Sequence, residues 1–351
     1  MNAMPTSVYS AGRLPGVDLD LRDNVNLWGG PPHALAALRA ARDEDLFVYP
    51  SPGGGELVDA LASTLGVRGE EIVAGCGSDG VIDAFLRAVT SPGDTIAFAA
   101  PTFSMIPVFA RLNGLVPMPV PLRADGAADI DALLATRARV IYVCSPNNPT
   151  GTVTSSTDIR RLVSHAPGVV LVDEAYAEFA NGHDWRSEAP AMERVLITRT
   201  FSKAWGLAGL RVGYGVGGRE LVAATARAQG PYTVNALAER CAVTALREDE
   251  PWMLRTAAEA CASRDRLAAA LRRIDGARVW ESRGNFVFLE VGALAPALER
   301  TLRSHRIGVR VFERMEGVDT ALRIGVAPWP RLVRVLDATR AFLCAEAAEC
   351  A

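Results

Sequence analysis

Apolar residues fall along this chain in short continuous runs, each ending on a polar or glycine-rich stretch, with helical periodicity between them. The runs Glu71 to Gly75, Thr95 to Ala99, Leu115 to Val120, Val140 to Cys144, Val169 to Val172, Val195 to Thr200 and Arg211 to Val216 read as strands. Because they are continuous rather than alternating, they predict strands buried on both faces, as in an α/β sheet covered by helices. Helical spacing is predicted over Pro32 to Arg42, Glu56 to Leu65, Val81 to Val89, a segment reaching Leu112, Asp129 to Thr136, Ala223 to Ala228, Asn235 to Arg247 and Pro251 to Arg273. Beyond Pro231 the text changes. Ala277 to Trp280, Gly284 to Leu289 and Leu322 to Val326 read as strands of a smaller α+β unit, with helices at Ala293 to His305 and Pro330 to Ala347. The expected organisation is an N-terminal arm (1–30), a large α/β domain (31–230) and a small C-terminal domain (231–351).

Where the run from Val195 to Thr200 ends, the chain places Ser202 and Lys203, and Lys203 is the one lysine among 37 lysines and arginines. Arginine holds a charge on any surface but keeps its proton, whereas a desolvated lysine amine can attack a carbonyl. The hydroxyls of Thr200 and Ser202, the glycines at 206 and 209 and the fork of Arg211 surround that amine with donors suited to phosphate. Together they point to an aldehyde cofactor that carries a phosphate.

Composition narrows the classes. Apolar residues make up 49% and charged residues 22%, and the formal net charge of -3 gives no electrostatic footprint for nucleic acid. No apolar run reaches the roughly 20 residues of a membrane span. Met1 to Ser10 shows no leader pattern, so a cytoplasmic protein is expected. Six cysteines, at 76, 144, 241, 261, 344 and 350, form no CxxC pair, and the four histidines are scattered, so no metal site is expected.

Three more loops follow strand ends. Gly75-Cys76-Gly77-Ser78-Asp79-Gly80 fits GxGxxG ahead of a helix. A nicotinamide oxidoreductase is therefore an alternative, although Asp94 precedes the next apolar run where that motif needs an acid to follow it. Amides at a helix N-terminus also suit any phosphate, which makes Gly77, Ser78 and Asp79 candidates for one. Ser145-Pro146-Asn147-Asn148-Pro149-Thr150-Gly151 reads as a rigid turn able to fix an amide. Asp173, closing a buried strand, needs a cationic partner such as a pyridinium.

The stretch Thr-Phe-Ser-Lys-Ala-Trp-Gly-Leu-Ala-Gly-Leu-Arg from Thr200 to Arg211 resembles the cofactor-lysine motif of pyridoxal-phosphate aminotransferases of fold type I, in the histidinol-phosphate aminotransferase-like group. The resemblance runs from Asn24 to the end. It implies a mostly parallel seven-stranded sheet flanked by helices, and a homodimer with pyridoxal 5'-phosphate bound covalently by Lys203. By resemblance Ser202 and Arg211 hold the phosphate, Asn147 and Tyr176 contact the 3-hydroxyl, Asp173 pairs with the ring nitrogen and Phe103 stacks on the ring. Asn26 and Trp28 lie over the substrate, Tyr49 reaches the other subunit's phosphate and Arg323 clamps the substrate carboxylate. Phe312 stands where enzymes acting on histidinol phosphate carry an arginine. That exchange favours an aromatic or apolar amino acid over histidinol phosphate, with Arg310 as a cation that could restore phosphate binding. A decarboxylase or lyase on the same scaffold is a further alternative. A non-catalytic regulator would need a DNA-reading module that the residues before the core do not provide.

Overall fold

The computed structural model describes residues 14–315 and 317–349. The readings made on Met1 to Ser10 and on Cys350, and the first part of the expected arm, lie outside the described residues. The strands in chain order are β1 (Leu19–Asp20), β2 (Ile72–Cys76), β3 (Thr95–Ala100), β4 (Val116–Pro121), β5 (Val140–Cys144), β6 (Val169–Asp173), β7 (Val195–Thr200), β8 (Val212–Gly217), β9 (Arg278–Val279), β10 (Phe286–Glu290), β11 (Ile307–Gly308), β12 (Arg310–Phe312) and β13 (Ala321–Gly325).

Seven of them form one sheet in the order β2-β8-β7-β6-β5-β3-β4, in which only β8 runs antiparallel to its neighbours. Every residue of β5, β6, β7 and β8 is buried, as their unbroken apolar runs require of strands covered on both faces. Strand order reverses between β3 and β5, because the chain steps out to the edge strand β4 before returning to β5. Loops leaving the carboxyl ends of β3 and β5 therefore diverge, and a crevice opens where ligands of α/β sheets bind.

Several helices begin where a cap permits. Asn235 accepts from the Ala238 amide to start the helix Ala236–Glu248, and Asp129 does the same for Ile130–Ala135. The helix Ser156–His165 was not anticipated, although Ser155 followed by Asp158 is a readable start signal; the Ser155 side chain accepts from the Asp158 amide. The helix expected from Val81 begins at Gly77, which brings its first turn to the sheet edge of the crevice.

The second sheet has the order β12-β13-β10-β9 and is antiparallel. β12 was not legible as a strand, being three half-buried residues. The arm joins this unit by pairing β1 in parallel with β11. The helix Ala236–Glu248, placed by sequence in the small domain, packs on Pro32–Arg39 and Gly55–Leu65 instead. Asp249 at its end accepts from the His33 and Ala34 amides. Among the described residues no helix is long and apolar enough to cross a membrane.

Candidate active site

The crevice is a cavity of about 480 Å³, a size suited to a small-molecule site. Its floor is set by three parallel strands that end side by side, delivering Cys144 from β5, Asp173 from β6 and Thr200 from β7. Lys203 lies three residues past β7, and its Nζ donates to the Asp23 carbonyl at 2.8 Å while sitting 5.7 Å from the centre of the Tyr176 ring. Burial, with the guanidinium of Arg323 next in weight, depresses the amine to about 8 against the pull of Asp23 and Asp79. The group is thus poised to exchange a proton near neutral pH.

Asp173 is 3% exposed and accepts from the Tyr142 hydroxyl (2.8 Å), the Ala175 amide (3.2 Å) and the Thr198 hydroxyl (3.3 Å). Burial raises its carboxyl to about 6, with Asp79 adding to the rise and the Tyr142 hydrogen bond opposing it. Behind these strand ends Arg199 is buried with Glu174 at 2.8 Å and Glu178 at 3.1 Å. This ion cluster ties the residue after Asp173 to the residue before Thr200. Removing one member would strand a buried charge.

The phosphate-grade donors converge at one end. Ser78 and Asp79 lie in the first turn of Gly77–Val89, where amides lack carbonyl partners one turn back. Arg211 donates to the Ser202 hydroxyl at 3.2 Å and to Asp79 at 2.9 Å, and its backbone is held in the left-handed region at φ 56°. Thr200 Oγ1 accepts from the Ser202 amide at 3.1 Å and donates to the Val212 carbonyl, bracing the turn. Phe103, from the loop after β3, lines the cavity and packs against an apolar cluster.

Arg323, on β13, is 4% exposed; its guanidinium donates to Oδ1 of Asn148 and to the Arg22 carbonyl. Phe312 lines the same wall, its ring 5.5 Å from the Arg323 guanidinium and edge-on to Phe288. Arg310, two residues earlier on β12, also lines the cavity, 3.9 Å from the Asp23 carboxylate.

Of the residues singled out in the sequence, Ser78, Asp79, Phe103, Asp173, Tyr176, Thr200, Ser202, Lys203, Arg211, Phe312 and Arg323 line this cavity. Asn147 does not. Its amide nitrogen donates to the Pro101 carbonyl and to Thr150 and its oxygen accepts from Thr102, which ties the turn to the loop after β3, and the neighbouring Asn148 lines the cavity in its place. Gly77 is likewise displaced from a direct role. Its amide donates to the Arg211 carbonyl, and at φ +70° a Cβ there would lie 2.6 Å from the Arg211 guanidinium, so glycine is what lets that side chain pass.

Asn26 donates to the Ala204 carbonyl and Thr256, fastening the arm to the lysine segment from behind, and Trp28 packs against the core. The arm reaches the cavity through Asp23 and Val25 instead. Tyr49 is 77% exposed, stacked on Tyr232 with ring centres 4.6 Å apart, and outside the cavity wall. Asp23 was missed because it acts through its backbone carbonyl, which no side-chain pattern encodes.

A model of the family described as aminotransferase class I and II matches residues 18–333. The chain belongs to that family. It is an aminotransferase, moving an amino group between an amino acid and a 2-oxo acid, and its cofactor is pyridoxal 5'-phosphate. That membership sets aside the nicotinamide reading of the glycine turn. The chain is 37% identical over 319 residues to a histidinol-phosphate aminotransferase of Roseiflexus castenholzii, covering 88% of this chain and 85% of that protein. It is 41% identical over 259 residues to an aromatic amino acid aminotransferase of Rhodococcus jostii, 70% of each. In fold it is similar to a histidinol-phosphate aminotransferase of Sinorhizobium meliloti solved with pyridoxal-5'-phosphate, with a TM-score of 0.86, 24% identity and coverage of 94% of this chain and 92% of that one. The cavity suits the cofactor: a depressed amine, a helix start beside Arg211 for its phosphate, and a buried carboxylate that calls for a cation.

Proposed function

We propose that this aminotransferase takes an amino acid with an aromatic or apolar side chain as donor, with Lys203 as its catalytic residue. The observation that carries the reading is Phe312 in the cavity wall, its ring 5.5 Å from the Arg323 guanidinium, with Phe103 lining the same cavity. Arg323 is read as the bidentate clamp of the substrate carboxylate, which leaves the side chain against the ring of Phe312. When bound, the cofactor supplies the electron sink. Lys203 would anchor it and, once displaced by the donor's amine, would take the proton from the substrate α-carbon and carry it to the cofactor side without returning it to that carbon. In this reading Asp173 would pair with the cofactor's ring nitrogen, Phe103 would pack against its ring, and Tyr176 and Asn148 would meet its 3-hydroxyl. Ser78, Asp79, Thr200, Ser202 and Arg211 form the phosphate end.

Histidinol phosphate is the second reading, and the position of Arg310 favours it, since that guanidinium lines the cavity where an ester phosphate could meet it. Turnover of phenylalanine and of histidinol phosphate, each with 2-oxoglutarate, separates the two. The expected result is a kcat/KM at least tenfold higher for phenylalanine; a preference for the phosphate ester defeats the reading. The arm through residue 30, the large unit 31–230 and the small unit 231–351 are read as the parts that enclose the substrate, with the first helix after residue 230 packing back on the large unit. A cytoplasmic homodimer is inferred, Tyr49 crossing to the partner's phosphate. Its support is the exposed apolar run Leu46, Phe47, Val48 and Tyr49, too large a patch for a monomer to leave in water without a use.

A further inference from the structure

We propose that Tyr142 is a positioning residue for this reaction, its phenol donating from β5 to Oδ2 of Asp173 so that the carboxylate stays ionised and fixed in direction to meet the ring nitrogen that the cofactor would bring. The role rests on reading Asp173 as the partner of that nitrogen, and adds to it a residue that touches neither cofactor nor substrate.

Tyr142 has no exposed surface and lies in an apolar cluster with Phe98, Ile106 and Leu171, where its hydroxyl must find an acceptor. Register places it. Cys144 is opposite Asp173 and Tyr142 opposite Leu171, so the phenol rises from two residues back on the face it shares with Cys144. Its bond to Asp173, 2.8 Å, is shorter than those from the Ala175 amide and Thr198, and both of those fall on Oδ1. Tyr142 therefore sets Oδ2 while the other two set Oδ1. The carboxyl plane is held at both oxygens.

The electrostatics run the same way. Burial pushes Asp173 toward its neutral form, Asp79 on the facing helix pushes further, and the phenol is the largest opposing influence. Cys144 on β5 and Tyr176 after β6 are both driven above their usual ranges by burial, so near neutral pH they face Asp173 uncharged. Lys203, Arg211, Arg310 and Arg323 supply the positive charge of the same cavity, and Asp23 and Asp79 the other negative charge. Tyr142 is itself pushed well upward by burial, so it remains a donor throughout the working pH range.

Tyr142→Phe keeps the ring and removes the donor. In apoenzyme, protonation of Asp173 followed by difference infrared spectroscopy, its band identified with Asp173→Asn, is expected to have its midpoint about one pH unit higher, a tenfold change in ionisation constant. An unmoved midpoint overturns the proposal. Titrating apoenzyme with pyridoxal phosphate and with its 1-deaza analogue, which has carbon in place of the ring nitrogen, supplies the second readout. The variant is expected to bind pyridoxal phosphate about tenfold more weakly and the analogue within twofold of wild type. Equal losses for both would show a packing role and overturn the proposal.

Wild-type protein binding both ligands equally would instead sink the reading of Asp173 on which this one rests, whatever the infrared midpoint does. Site-specific 3-fluorotyrosine at 142, a stronger donor of nearly the same shape, is expected to move the midpoint downward. Its failure to do so overturns the proposal even where Tyr142→Phe does not fold.

Discussion

Burial and the guanidinium of Arg323 hold the Lys203 amine at about 8, so in apoenzyme it sheds its proton where a surface lysine would keep it. Since Lys203 is the one lysine, amine-directed modification reports on it and the chain terminus alone. Its rate of labelling is expected to rise through pH 8 rather than near 10.5; a midpoint above 10 would show the amine to be solvated. The linked stability has a definite sign. Between the folded value and the ordinary lysine value of 10.5 the unfolded chain binds the extra proton, so apoenzyme stability rises with pH across that window. Asp173 acts in the opposite sense, because its raised carboxyl takes up a proton on folding between pH 3.8 and about 6, where stability falls as pH rises. Adjacent asparagines divide their work just as sharply. Asn147→Ala removes a buried knot of three hydrogen bonds and is expected to lower stability by about 1–3 kcal/mol. Asn148→Ala removes an acceptor of Arg323 and is expected to raise KM for the amino donor about tenfold, with a smaller drop in melting temperature than Asn147→Ala gives. The reverse pattern in melting and kinetics would return the cavity to Asn147.

At the scale of elements, the strands and their polar ends were legible because burial on both faces leaves an unbroken apolar signature, and Cys144, Asp173 and Thr200 each close such a run. Less legible was whatever depends on direction rather than residue type. Which of two neighbouring asparagines turns inward is set by bonds that tie the 145–151 turn to Pro101 and Thr102 of another loop, and the three residues of β12 owe their strand to pairing with β13 rather than to any local pattern. Gly77 was read as a phosphate ligand because glycine before a helix usually exposes an amide, yet its amide is spent on Arg211. Gly77→Ala tests the corrected role. A left-handed alanine costs about 1–2 kcal/mol, and its methyl would displace the Arg211 guanidinium, so cofactor affinity is expected to fall at least tenfold while the fold persists. Gly209→Ala, with open space around the added carbon, is the matched control and should bind cofactor normally.

For the whole molecule, the stacked Tyr49 and Tyr232 and the apolar run before them form a surface that one chain leaves in water. Sedimentation is expected to show a dimer. Mixing inactive Lys203→Ala chains with impaired Tyr49→Ala chains should restore activity toward a quarter to a half of wild type, since one site in the mixed dimer would carry neither change. A lack of recovery would place Tyr49 within its own chain's site. Arg323 has a different reach. It belongs to the antiparallel sheet, yet its guanidinium rests on Asn148 of the parallel unit and on the Arg22 carbonyl of the arm. On the proposed role of Arg323, a carboxylate seated there would act as a latch across three separate stretches of chain, and an amine lacking that carboxylate would leave the latch unfastened. Such truncated donors should lose speed more than affinity, because binding energy drawn from a remote group is spent on assembling the reacting arrangement.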